Sequence, residues 1–488
     1  METFFPTIHV SYEIIAPMST ANSHSHDAHP SLRRQLRLGD LVLTQILFVV
    51  GSGWVGTAAG LGRSQSLTWI TSMVVFYLPM ATSVLCLNRE MPLEGGLYAW
   101  ARTAFGDFCG FLVAWNIWVY SLAVCAVILY AMPTELAYLI GPSASWLPED
   151  RFVSLAIIFA ILLAIALAAL RGLNIGKWIQ NIGGAAMLSV FITLIIMPVF
   201  ALAHGTHISW EPFPLELPHR DLFSLARLGQ MMIGGLAGLE YIAILAGETR
   251  SPARTIGQSV WIASPIICAM FILGTSSVLA FQNGHIDLIA PIPQTFRLAL
   301  GSSGVGGFVA VAAITFLQLR LIGTASLVFT GATRLSLTAG WDHLLPGWFT
   351  RLHPRRQTPT NSILFTALLV VAVLLVASSG VHAQEAFQVL VNAGTAHYAI
   401  AYMAMFAIPI LGAAALRKAL PRWLKWISAM GFCATAFSLF VSAFPFVEVV
   451  NASTYAAKIL GTTLASNLAA IAFYLVRKRI HQSAKASA

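Results

Sequence analysis

Gly51-Ser52-Gly53-Trp54-Val55-Gly56 lies in the middle of one apolar run, and Gly234-Gly235-Leu236-Ala237-Gly238-Leu239-Glu240 lies inside another much further along the chain. Each run is long enough to cross a bilayer, which takes about 20 apolar residues. Glycine in a helix interior costs up to about 1 kcal/mol, so each cluster weakens the backbone ladder at mid-span. In lipid the freed N–H and C=O groups must find partners, and unwound backbone survives only where it is buried in protein or lines a cavity. Close helix packing through small residues remains the alternative for either cluster taken singly. Interruptions at corresponding positions of two halves of a membrane chain point instead to a transported molecule's binding site.

The rest of the chain agrees with a membrane setting. Of its 488 residues 57% are hydrophobic and 10% charged, against about 25% charged in ordinary soluble domains. Such a composition excludes soluble enzymes, nucleic-acid-binding domains and secreted disulfide scaffolds. Twelve apolar segments can be marked, near 40–62, 66–87, 106–140, 152–170, 178–204, 223–247, 256–281, 304–334, 361–379, 385–411, 423–446 and 456–476. The connections are short, so the expected fold class is an all-α integral membrane bundle of twelve transmembrane helices. With the N-terminus inside, 21 of the 28 Lys and Arg residues fall in inner loops and tails, six fall outside, and Arg320 is left at mid-membrane. That bias orients the chain with both termini cytoplasmic.

Other patterns lead nowhere. The net charge of +9 is spread between apolar segments and makes no basic stripe, so no nucleic-acid partner is expected. Cys86, Cys109, Cys125, Cys268 and Cys433 are scattered without CxxC spacing, and their odd number argues against a disulfide framework. His24, His26 and His29 have no acidic or thiol partner to complete a metal site. Gly51 to Gly56 matches a dinucleotide fingerprint, but no strand precedes it. Gly172 to Lys177 lacks the spacing of a phosphate loop. No HExxH or GxSxG is present, so neither an enzyme nor a cofactor is expected. No secretory leader is visible at the start, and Met18 is an alternative translation start.

Three patches resemble permeases of the amino acid–polyamine–organocation superfamily. They are Gly51-Ser52-Gly53; Pro92 to Trp100 with Ala104-Phe105-Gly106; and Gly238-Leu239-Glu240 with Ala246 to Arg254. Leu344-Leu345-Pro346 through His353-Pro354 to Thr358-Pro359 is a weaker fourth match. The resemblance covers about residues 35–480. It implies a five-plus-five inverted repeat with broken helices 1 and 6: a tail at 1–38, a first repeat at 39–204, a second at 205–412, helices 11 and 12 at 413–478, and a tail at 479–488. It implies alternating access around a midplane site in the cell membrane, with a bacterial inner membrane favoured.

The same resemblance implies a substrate carboxylate at the backbone N–H groups of Ser52 and Gly53, with the Ser52 hydroxyl added, and its amine at freed carbonyls near Val49, Gly234 and Ala237. Gly51 and Gly238 complete the expected substrate-binding set. A half-helix N-terminus suits an anion, and a half-helix C-terminus suits a cation. Relatives carry an aromatic gate at about the position of Gly234. Here Trp54, Trp118 or Tyr120 would have to close the pocket, unless it is wider. The lysine that some proton-coupled relatives carry in the fifth helix is missing from 181–187.

Glu240 and Arg320 stand at bilayer depth, where a charge costs several kcal/mol unless paired or hydrated. The resemblance extends a proton-responsive role to Glu240. Arg320 can replace a bound cation, pair with Glu240, receive a second carboxylate, or snorkel outward. Thr324 and Ser326 follow where sodium-coupled relatives place hydroxyl ligands. The expected function is a secondary transporter, symporter or exchanger, of amino acids or related amines, with a proton or sodium as possible co-substrate and the lipid bilayer as surroundings. A polyamine permease and a non-transporting amino-acid sensor are the alternatives.

Overall fold

The computed structural model describes residues 36–91, 96–239, 252–282, 286–338, 344–345, 347–354, 356, 358–377, 383–413, 416–417, 420–446, 449 and 451–486. Helices dominate these residues, in the order the apolar runs dictate. The main ones are α1 (Leu38–Val49), α2 (Ser52–Ala59), α3 (Gly62–Glu90), α4 (Leu97–Phe105), α5 (Asp107–Ile140), α6 (Arg151–Arg171) and α7 (Leu173–Ala203). They continue with α8 (Leu222–Gln230), α9 (Pro252–Phe281), α10 (Pro291–Leu300), α11 (Gly304–Thr338), α12 (Thr360–Ala377), α13 (Ala383–Leu411), α14 (Leu424–Val441) and α15 (Ala452–Ala486).

Among the described residues, nine helices are long and apolar enough to cross a bilayer, or ten if α1 and α2 form one span bent by 45°. These nine coincide with nine of the twelve segments marked in the sequence. The remaining three are the bent pair, a shorter apolar helix at Thr360–Val376, and the sixth segment, only part of which is described. The membrane-crossing count among the described residues is therefore nine to ten.

At the centre stands α5, packed on both α11 and α13, while α11 also packs on α7 and α1 lies against α7, α9 and α11. Close approach is made by small residues. A Cβ placed on Gly183 of α7 would lie 3.2 Å from the Cα of Gly323 on α11, so the two backbones nearly touch. Peripheral helices turn large side chains outward: Leu163, Ile192, Leu368 and Leu464 are all exposed, as is Phe308 near the start of α11. In water these would be liabilities; around a bundle in lipid they are the solvent-facing surface.

Candidate substrate-binding site

α1 ends where Val50 turns extended (φ −80°, ψ 107°), its N–H donating to the carbonyl of Ile46. Gly51 is extended too (φ −109°, ψ 135°), and α2 starts afresh at Ser52. Two residues therefore interrupt the run, where the Gly-Ser-Gly cluster made the ladder weakest. The second interruption follows the same logic. Beyond α8 the chain makes a π-helical turn over Met231–Gly235 and leaves the helix after Leu236. Gly238 has φ +119°, a conformation that side-chain-bearing residues rarely adopt, and its N–H donates to the Tyr402 hydroxyl at 2.9 Å.

The two interruptions border one cavity of about 120 Å³. Gly51 lines it from the interruption, Ser52, Gly53 and Trp54 from α2, Gly234 and Ala237 from the far side, Tyr120 from α5, and Arg320 and Thr324 from α11. Phe387, Val391 and Phe446 make much of the rest apolar. Trp54 lies over Gly234: a Cβ at residue 234 would fall 2.2 Å from the indole ring. The space a side chain at residue 234 would fill is thus taken by an aromatic from α2. Tyr120 is stacked on Tyr398, ring centroids 3.7 Å apart.

Val49, Gly238, Trp118 and Ser326 do not line the cavity. Val49 is the last residue of α1, with its side chain in the core beside the cavity. Gly238 is one residue beyond the lining, packed on Phe48. Trp118 points into packing, against Trp115 and Phe365. Ser326 is buried on α11 outside the lining. Thr324 donates to the carbonyls of Leu47 (3.2 Å) and Arg320 (3.0 Å), so its hydroxyl ties α11 to the end of α1. Glu240 lies outside the described residues. Among the described residues, no cluster of three His, Cys, Asp or Glu could hold a metal ion.

A carboxylate that the sequence reading passed over stands behind the cavity. Glu135 of α5 is 0% exposed. Its Oε1 accepts a hydrogen bond from the Ser52 hydroxyl at 3.3 Å, and its Oε2 has no hydrogen-bond partner. The Ser52 hydroxyl, expected to face substrate, is thus engaged by Glu135. Arg320 is 4% exposed, and its Nε also lacks a partner. The two charges interact electrostatically without closing to ion-pair distance. The available signal was that Glu135 is the one carboxylate between Asp107 and Glu149.

Comparison with known proteins matches residues 38–465 to the amino acid permease family. The chain belongs to that family, within the amino acid–polyamine–organocation superfamily. It is therefore a multi-pass membrane transporter rather than an enzyme. The permease is similar to an uncharacterised transporter of Legionella pneumophila, 24% identical over 78% of this chain and 81% of that protein. It is also similar to the branched-chain amino acid permease of Bacillus subtilis, 24% identical over 67% of this chain and 72% of that protein. An aspartate/glutamate permease of Lactococcus lactis is 22% identical over 67% of this chain and 69% of that protein.

Proposed function

We propose that the permease is a secondary active transporter of amino acids, working as a symporter or exchanger by alternating access about the cavity between the two interruptions. The observation that carries this reading is that backbone breaks from two distant parts of the chain line the same cavity. The N-terminus of α2 offers N–H groups and the positive end of a helix dipole to a substrate carboxylate. The carbonyls closing α1 near Val49, and those at Gly234 and Ala237, suit the amine. Bacterial relatives named for branched-chain and for acidic amino acids support amino acids as the substrate class and a bacterial cell membrane as the location. Transport needs no bond-making; it needs substrate to bind differently to two states. Glu240, Arg320, Thr324 and Ser326 are the coupling candidates carried from the sequence.

The test is uptake of labelled L-leucine, L-glutamate and L-lysine into proteoliposomes preloaded with the same unlabelled amino acids. Saturable exchange of at least one is expected; none from folded, inserted protein would remove the reading. Gly53→Leu should abolish that exchange while leaving insertion intact. A Cβ at residue 53 already sits 3.5 Å from the Leu288 carbonyl and 3.9 Å from the Phe387 ring, so a longer side chain crowds the cavity. Normal exchange by this variant would move the carboxylate elsewhere.

A further inference from the structure

Two buried charges face each other across the wall of the cavity, and neither is satisfied. Glu135 on α5 leaves one carboxylate oxygen without a hydrogen bond, and Arg320 on α11 leaves its Nε without one. Buried ionic groups normally close such valences, because an unpaired charge in a low-dielectric interior is costly. Only Arg320 lines the cavity; Glu135 stands behind it, tied to Ser52 at the first turn of α2. The guanidinium is therefore within reach of two anions, a resident one and whatever carboxylate enters.

We propose that Glu135 and Arg320 are the proton-coupling pair of the permease: the substrate carboxylate draws the guanidinium away from Glu135, and the carboxylate left behind takes up one proton. The inference rests on the transport reading above. Charge is conserved in the step: one substrate carboxylate becomes the partner of Arg320 and screens its charge from Glu135, and one proton from solution neutralises Glu135. Release reverses both. Binding of substrate and of proton are then linked, each strengthening the other by the same factor.

Among the described residues, Arg320, Ser52 and Asp287 are the groups that act on Glu135. The Asp287 carboxylate also acts on Glu135, but it is already occupied by the Tyr138 hydroxyl at 3.0 Å and by the N–H groups of Ile289 and Ala290. Arg297 of α10 donates to the carbonyls of Tyr138 and Leu139. From α2 the Ser52 hydroxyl is neutral, and on α5 the ring of Tyr138 is turned to Asp287. Ser52 also joins the pair to the binding site, because a substrate at the N-terminus of α2 meets the residue that holds Glu135.

The experiment uses the full chain in proteoliposomes, with labelled L-leucine, L-glutamate and L-lysine as probes. Wild type should accumulate an exchanged amino acid under an inward proton gradient, by up to about tenfold per pH unit for one proton, and should acidify the lumen as it does so. Glu135→Gln should exchange substrate at a lower rate that no longer varies with pH, and its accumulation should fall to equilibrium. Exchange by wild type without proton-driven accumulation would overturn the pair and leave the transport reading standing. Accumulation by Glu135→Gln with the wild-type pH profile would also overturn it, as would its loss in Glu240→Gln alone. Should Glu135→Gln fail to fold, wild type in weakly buffered detergent solution decides. Uptake of a proton on addition of the transported amino acid supports the pair, and no uptake overturns it. No exchange of any probe by wild type would instead remove the transport reading itself.

Discussion

Trp54 and Gly234 define the cavity at the scale of single residues, because each makes sense only with the other. Any side chain at 234 would enter the indole of Trp54, so glycine here is a packing requirement and the aromatic comes from the opposite element. Overpacking of a filled site costs about 1–3 kcal/mol. Gly234→Ala should therefore lower uptake roughly tenfold, the effect of about 1.4 kcal/mol on binding. Replacing Trp54 by the smaller Phe in the same chain should recover most of the loss. Exchange rates of the two single variants and the double variant check this as a coupled cycle. Additive losses would mean that Trp54 is free to swing away from residue 234.

At the scale of elements, the run from α8 to Leu239 shows how a helix is started and stopped around a site. Asp221 caps α8: its Oδ1 accepts from the backbone N–H of Ser224 at 2.7 Å and its Oδ2 from the Ser224 hydroxyl at 3.0 Å. The Ser224 N–H bond, the largest cause, holds this carboxyl below its ordinary value. A depressed carboxylate stabilises the fold above its unfolded value, about 3.9, and that contribution is lost as pH falls through the folded value. Asp221→Ala should therefore cost about 1 kcal/mol at neutral pH, as N-caps do, and the gap from wild type should close below about pH 4. Thermal unfolding in detergent at pH 7 and at the lowest pH the protein tolerates would show it; a gap that persists in acid would remove the cap from the account. At the other end, Gly238→Ala should destabilise more strongly, because φ +119° is strained for alanine and its Cβ would lie 2.2 Å from the Phe48 ring.

What the sequence discloses follows the same division. The interruption between α1 and α2 is legible because glycine clustering is a local property. The stop after Leu236 is legible for the same reason, through Gly234, Gly235 and Gly238. Arg320 is legible because a charge amid Leu319 and Leu321 has no loop to escape to. Glu135 is not, because it lies five residues before the end of a helix of 34 residues, longer than the bilayer needs. Its depth depends on what faces it, and Ser52 and Arg320 come from two other elements far away in the chain. Nor does sequence separate Trp54 and Tyr120 from Trp118: all three are aromatic residues in apolar runs, and only packing decides which ones reach the cavity.

For the molecule as a whole, alternating access requires that the cavity be open to one side at a time and that substrate change which side that is. Thr57 is a suitable reporter, since it lines the cavity one turn beyond Gly53 and its hydroxyl donates to the Gly53 carbonyl at 3.0 Å. The five native cysteines are spread over the bundle, Cys125 buried and Cys433 exposed, so they must be replaced before Thr57→Cys is read alone. A membrane-impermeant thiol reagent should then label residue 57 from one side at a rate that substrate changes by about tenfold, as a population shift worth about 1.4 kcal/mol would produce. Substrate that merely plugs a static pore would slow labelling from both sides equally. A moving gate should slow labelling on one side and speed it on the other. Equal slowing would leave the permease a binding protein with a fixed opening, and opposite changes would establish the two states that active transport demands.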